Sequence, residues 1–177
     1  GDGDADVLSA SATDNRIVWY ENNGSGGFSG GTDITTSADG AISVYAADLD
    51  GDGDADVLSA SNLDDRIVWY ENTDGNGSFS GGTDITGGAV GAYSVYATDL
   101  DGDGDADVLS ASANDNRIVW YENDGSGGFS GGTDITTGAL GTTSVYATDL
   151  GGDGDADVLS ASFDDDRIVW YENQTTN

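Results

Sequence analysis

Five carboxylates occupy alternate positions in the nine residues Asp48-Leu49-Asp50-Gly51-Asp52-Gly53-Asp54-Ala55-Asp56, with apolar β-prone residues on both sides. Left alone, charges this close repel one another. A hard dication that gathers roughly six to eight oxygen ligands at about 2.3–2.6 Å turns the repulsion into binding, and calcium fits best. Gly53 supplies the tight turn, because glycine adopts positive φ without steric cost. A solvated acidic loop would explain a single occurrence equally well. The pattern recurs, however, at Asp99 to Asp107 and, with one change, at Asp149 to Asp157. Repetition favours a calcium loop.

Other chemistry is sparse. The chain holds no His, Cys or Lys, so the usual nucleophile–base pairs cannot be assembled. A carboxylate pair for glycoside hydrolysis is conceivable. Yet the acids sit in the repeated loops and turns, and Glu21, Glu71, Glu122 and Glu172 are equivalent by repeat, whereas an active site is unique. The expectation is no enzyme. A net charge of −30 argues against nucleic acid and against anionic membrane surfaces. No apolar run approaches the ~18 residues of a membrane span, so no membrane insertion is expected. The absence of an initiator Met reads as a mature segment or a piece of a longer polypeptide.

Positioning such loops requires repeated strands. Gly-Asp-Gly-Asp-Ala-Asp-Val-Leu-Ser begins at Gly1, Gly51, Gly102 and Gly152, giving spacings of 50, 51 and 50. Each unit reads as four short β runs between Gly/Asp/Asn/Ser turns, without helical periodicity. Ser43 to Ala47 enters the acidic loop and Asp56 to Ala60 leaves it. In Arg66-Ile-Val-Trp-Tyr-Glu71, alternation puts Ile67 and Trp69 on one face and Val68 and Tyr70 on the other. Two apolar faces predict a strand sandwiched between neighbouring sheets. Thr83 to Thr86 is a polar outer strand. Four antiparallel strands per ~40–50 residues is the period of a β-propeller blade, and such sheets must stack to bury their faces. The repeated Trp19, Trp69, Trp120 and Trp170 read as packing between blades, with a sugar-stacking platform as the alternative. Arg16, Arg66, Arg117 and Arg167, each following an acidic turn such as Asp64-Asp65, read as structural ion pairs.

On these residues the chain resembles FG-GAP/VCBS repeats, the blades of integrin-alpha-type β-propellers, over essentially its whole length. The specific part is Asp-x-Asp-x-Asp-Gly-x-x-Asp followed by an apolar strand. The resemblance implies Ca2+ in the hairpin between the innermost strand and the next. It implies side-chain oxygens from Asp48, Asp50, Asp52 and Asp56 with the Asp54 carbonyl, and likewise from Asp99, Asp101, Asp103 and Asp107 with the carbonyl of Asp105. Two units depart. Gly151 replaces the second carboxylate of the last loop, leaving Asp149, Asp153, Asp155 and Asp157. The first unit keeps only Asp2, Asp4 and Asp6, an incomplete set. An EF-hand is excluded, since its twelfth position would be Ser59 rather than Glu.

The expected fold is all-β: a β-propeller-type array of four-stranded antiparallel blades, roughly 3.5 repeats of ~50 residues in one domain over 1–177. Its units are 1–42 (partial), 43–92, 93–142 and 143–177 (partial). With strands named A to D from inside out, the chain reads B-C-D, A-B-C-D, A-B-C-D, A-B-C. First and last units overlap in B and C, so three closures stand open: an arc from a longer array, a subunit completed by its neighbours, or a four-bladed ring. The functional expectation is a non-catalytic, calcium-binding, extracellular or cell-surface structural or adhesive repeat that associates with itself as scaffold or filament. The alternative is a propeller binding module taking a glycan or protein on its loop face. The stretches that differ most between units, Ser11 to Asn15, Ser61 to Asp65, Ala113 to Asn116, Phe163 to Asp166, and Ser37 to Ile42 with its counterparts, are where contact is expected. Sequons at Asn23, Asn76 and Asn173 are candidate glycosylation sites.

Overall fold

The computed structural model describes residues 3–174, and its regular elements are all strands. In chain order they are β1 (Val7–Ser11), β2 (Arg16–Tyr20), β3 (Thr32–Thr35), β4 (Ala41–Ala47), β5 (Asp56–Ser61), β6 (Arg66–Tyr70) and β7 (Thr83–Thr86). There follow β8 (Ala92–Thr98), β9 (Asp107–Ser112), β10 (Arg117–Tyr121), β11 (Thr133–Thr136), β12 (Thr142–Thr148), β13 (Asp157–Ser162) and β14 (Arg167–Tyr171). They form four antiparallel sheets, β1-β2-β3, β4-β5-β6-β7, β8-β9-β10-β11 and β12-β13-β14. The all-β propeller-type array is therefore the fold. Among the described residues the first sheet lacks the inner strand and the fourth lacks the outer one. Inner strands start at Ala41, Ala92 and Thr142, slightly ahead of the expected unit boundaries. The cause is a register shift between Ala41 and Ser43, which lets Ala41 pair with Ser61 across the bulge.

The two middle sheets are apolar on both faces because each packs twice. Ile67 and Trp69 of β6 join Leu58, Val95, Val108, Val119 and Tyr121 in one cluster with the third sheet. Val68 and Tyr70 join Ile17, Ala38 and Val57 in another with the first sheet. A third cluster, around Leu109, Ile118, Val145 and Val158, joins the third and fourth sheets. Full burial of one such large apolar side chain contributes about 1.5–3 kcal/mol. Trp69 is accordingly buried, and its ring meets Phe129 of the following sheet edge-on at 6.2 Å; Trp19 meets Phe79 in the same way at 6.4 Å. These two indoles pack between adjacent sheets.

The inner strands β4, β8 and β12 lie side by side. Ser43 Oγ accepts from the Val95 N–H and Ser94 Oγ from the Val145 N–H, both at 3.3 Å. Tyr45, Tyr96 and Tyr146 stack across them, with centroids 4.8 and 4.7 Å apart. The sheets do not close into a four-bladed ring. Ile168 of β14 is 81% exposed, whereas its counterparts Ile17, Ile67 and Ile118 are 0% exposed. The four described sheets form an open arc.

Antiparallel order puts the loops on two rims. One carries the acidic loops and the Gly-rich turns that precede the outer strands: a Cβ on Gly51 would lie 3.2 Å from the Gly125 carbonyl, and the Asp54 carboxylate packs on Gly75. The other carries the β5–β6-type hairpins and the returns to the next inner strand, joined by Asn62 N–H to Gly40 O at 3.1 Å and Asn114 N–H to Val90 O at 3.1 Å.

Candidate metal centre

Strand β4 feeds the first complete acidic loop and β5 receives it, with Ala47 opposite Asp56 as the last pair. Between them the backbone folds onto its own carboxylates. Gly51 and Gly53 N–H donate to the two oxygens of Asp48 at 2.9 and 3.0 Å. Asp52 N–H donates to Asp50 at 3.2 Å, and Asp54 N–H to Asp52 at 2.8 Å. The next loop repeats this, with Gly102 and Gly104 on Asp99, Asp103 on Asp101 and Asp105 on Asp103. Gly53 and Gly104 hold φ of 92° and 100°, the turn that only glycine makes cheaply.

These turns bring like charges together. Carboxylate oxygens of Asp48, Asp50 and Asp52 lie within 4.8 Å of one another, as do those of Asp99, Asp101 and Asp107. Arg16, Arg66 and Arg117 do not neutralise them, because each pairs with other acids. An all-oxygen donor set of this kind suits a hard dication. The residues present fit calcium.

Asp56 and Asp107 are fully buried at the exits of their loops. The two oxygens of Asp56 accept the Leu49 and Asn72 N–H groups at 3.1 and 2.8 Å, so it ties loop to strand. Burial pushes the carboxyls of Asp56 and Asp107 up, opposed by these backbone donors. The side chains of Asp54 and Asp105 pack against Gly75 and Gly125 and do not join the converging sets.

The other two loops differ. In the fourth, Asp149 accepts from Gly152 and Gly154, but Gly151 N–H turns to Asp157 Oδ2 at 2.9 Å. Asp153 and Asp155 complete no converging trio among the described residues. Asp157 lies in the end sheet, where the Asn173 N–H, donating at 2.8 Å, holds its carboxyl below the usual range. In the first loop, Asp2 lies outside the described residues. Asp4 packs against Gly24, and Asp6 accepts from Asn22 N–H at 2.8 Å and from Trp19 Nε1 at 3.0 Å.

Three placements refine the sequence reading. Arg16, Arg66 and Arg117 do form ion pairs, but chiefly with the outer strand: Arg66 Nε donates to Asp84 at 2.8 Å, while Asp64 stands 4.0 Å from Arg66 Nη1. Asp65 serves the backbone instead. It takes φ of 61°, and its Oδ1 accepts the Gly91 N–H at 2.8 Å. Of the sequons, Asn23 and Asn76 lie on exposed turns. Asn173 is tied into a seam between sheets, its Nδ2 donating to Leu100 and Ala156 carbonyls at 2.6 and 3.2 Å.

That seam is what the sequence reading missed. Asn123 Nδ2 likewise bridges sheets, to Leu49 O and Ala106 O, both at 2.9 Å. The available signal was the Tyr-Glu-Asn that ends the central run of every unit. The variable stretches gather on the rim opposite the acidic loops, where Leu63, Val90, Leu140 and Phe163 are exposed.

A family model described as FG-GAP-like repeat matches the chain three times, over residues 1–59, 48–110 and 99–160. No curated protein matches. Among solved structures, one similar to this chain is an Agrocybe aegerita lectin described for specific recognition of non-reducing terminal N-acetylglucosamine. It superposes with a TM-score of 0.64 at 22% identity, covering 99% of this chain and 50% of the lectin. Another is the Photorhabdus luminescens Tc holotoxin pore, with a TM-score of 0.51 and 19% identity over 97% of this chain and 8% of that one. The chain thus spans half or less of the structures it matches, and at these identities the likeness is one of fold.

Proposed function

The chain belongs to the FG-GAP-like repeat family, and from that premise we propose that it is a non-catalytic calcium-binding structural repeat of the extracellular space or cell surface, associating with further copies of itself. One observation carries the reading: two successive inter-strand loops gather carboxylates within 4.8 Å without a cationic side chain among them. Asp48, Asp50, Asp52 and Asp56 would hold one ion, and Asp99, Asp101, Asp103 and Asp107 the next. When bound, calcium supplies charge neutralisation and cross-links the entry and exit of each hairpin. The chain's own part is to hold the carboxylates in place through the Asx turns, and to anchor the exit Asp in the core. A net charge of −30 strains the metal-free arc, so neutralising the rim stiffens it. Millimolar extracellular calcium suits loops of modest affinity.

Calorimetric titration of the whole chain, with thermal melts in 10 mM calcium and in chelator, tests this. At dissociation constants of about 10⁻⁴–10⁻³ M, each occupied site adds about 1.4–2.7 kcal/mol of stability at that concentration. Identical melts under both conditions would remove the calcium reading.

A second reading rests on a separate observation. The residues that differ between units, including exposed Leu63, Val90, Leu140 and Phe163, share the rim away from the acidic loops. A glycan or protein ligand would bind there, and the lectin similar to this chain supports the glycan version. Glycan-array binding abolished by Phe163→Ala, with calcium binding intact, is its expected signature.

A further inference from the structure

The inner strands set three tyrosines ring to ring across the seams between sheets. Each takes the same place in its own sheet, Tyr45 opposite Leu58, Tyr96 opposite Leu109 and Tyr146 opposite Leu159. The residue just before the second and third tyrosines is tied to the preceding inner strand by the Ser43–Val95 and Ser94–Val145 bonds, which holds the rungs level. Centroids 4.8 and 4.7 Å apart, with planes tilted by 51°, lie near the short end of the range for aromatic pairs. The Trp–Phe pairs of the same molecule stand at 6.4 and 6.2 Å.

The Tyr96 hydroxyl lies in contact with those of Tyr45 and Tyr146. The ring carbons that flank each hydroxyl, Cε1 and Cε2, are therefore the ones brought together. Among the described residues these are the tyrosine rings that meet one another. Tyr45 and Tyr96 both remain partly open to solvent. The chain has no Cys, Met or His, so the common oxidation sinks are missing and a one-electron oxidant meets Tyr and Trp instead. Trp69 is buried.

We propose that this ladder is a site of oxidative cross-linking, where Tyr96 couples to Tyr45 or Tyr146 and a dityrosine bond joins adjacent sheets. The oxidant is hydrogen peroxide used by a haem peroxidase. Each of two phenols gives up one electron and its hydroxyl proton, and the two phenoxyl radicals join through a Cε–Cε bond. The hydrogen on each joined carbon then moves by way of water to the oxygen of its own ring, restoring both phenols. The two electrons and two protons released reduce one peroxide to two waters, and the chain loses two hydrogen atoms. Contact between the rings makes the coupling effectively unimolecular. The bond closes a loop one repeat long and ties β4 to β8, or β8 to β12, whether or not the acidic loops are filled.

The test treats the full chain with hydrogen peroxide and a haem peroxidase. Dityrosine fluorescence, intact mass and peptide maps after cleavage at acidic residues are read on the single-chain fraction. Wild type is expected to become fluorescent at 17.9 kDa less two hydrogen atoms. Its yield should not change on about tenfold dilution, because the partners are already in contact. Tyr96→Phe keeps the ring, removes the hydroxyl and is expected to lower the fluorescence about tenfold or more, the proximity being lost to both rungs at once. Tyr45→Phe and Tyr146→Phe together should do the same, whereas either alone leaves one rung and Tyr93→Phe leaves both. Circular dichroism checks that each variant keeps the fold. Cross-linking that survives Tyr96→Phe, or that is found only in dimers and rises with concentration, would overturn the proposal. So would a wild type that stays unlinked under conditions that couple free tyrosine.

Discussion

Gly127 lies against the indole of Trp69, so close that a Cβ on it would overlap the ring. The glycine belongs to the third sheet and the tryptophan to the second, so the contact sets how near the sheets approach. Gly127→Ala adds a methyl group to this joint at φ of 75°. The substitution is expected to cost about 2–4 kcal/mol, roughly 1 from the left-handed backbone and the rest from overpacking. Urea unfolding measures it, with Gly26→Ala as the reference that carries only the backbone part in the monomer.

The arginine pairs predict the opposite scale. Arg66 and Asp84 are 39% and 46% exposed, and their contact lies at the outer edge of the sheet. Arg66→Ala is expected to cost no more than about 1 kcal/mol, an effect that shrinks further in 0.5 M salt. A loss above about 2 kcal/mol would mean that the pair organises the edge strand.

Most of this architecture is legible in the sequence because the repeat prints each signal several times. Alternation in Arg66 to Tyr70 gave both faces of the strand, and the departure at Gly151 marked the atypical fourth loop. The partners of Arg66 and Asn123 were not legible, because they lie 18 and 74 residues away and depend on which sheets abut. Asp65 shows the limit clearly. Its charge suggested an ion pair, but the hairpin needed a residue that tolerates positive φ, and Asp does. Local charge pattern cannot separate those two demands.

The tyrosine ladder predicts an alkaline limit. Burial, and then hydroxyl contacts with Tyr45 and Tyr146, push the Tyr96 phenol above its ordinary value of 10.0. Burial raises Tyr70 and Tyr121 as well. A raised phenol pKa means that the unfolded chain ionises first. The contribution is whole below about pH 10 and is lost as pH climbs through the folded-state value. The urea midpoint should fall above pH 10, and Tyr96→Phe should flatten that fall. Phenolate absorbance should show Tyr96 ionising after the exposed tyrosines.

The fourth loop offers the sharpest test of how the carboxylates act. It departs from its two complete relatives at Gly151, whose N–H turns to Asp157, and its acids form no converging trio. Gly151 has an ordinary φ, and a Cβ there would come no nearer than 3.5 Å to the Asp153 carboxylate. Gly151→Asp therefore fits sterically and supplies the oxygen that Asp50 and Asp101 supply in the other loops. Calorimetry should then count one further calcium of comparable affinity, with a gain of about tenfold over the wild-type loop, since affinity follows ligand charge and site rigidity. Asp101→Asn should move the second loop the other way. If Gly151→Asp left the titration unchanged while Asp101→Asn weakened it, the turn geometry rather than the carboxylate count would govern binding. If neither changed it, the acidic loops would be shaping the rim without a metal.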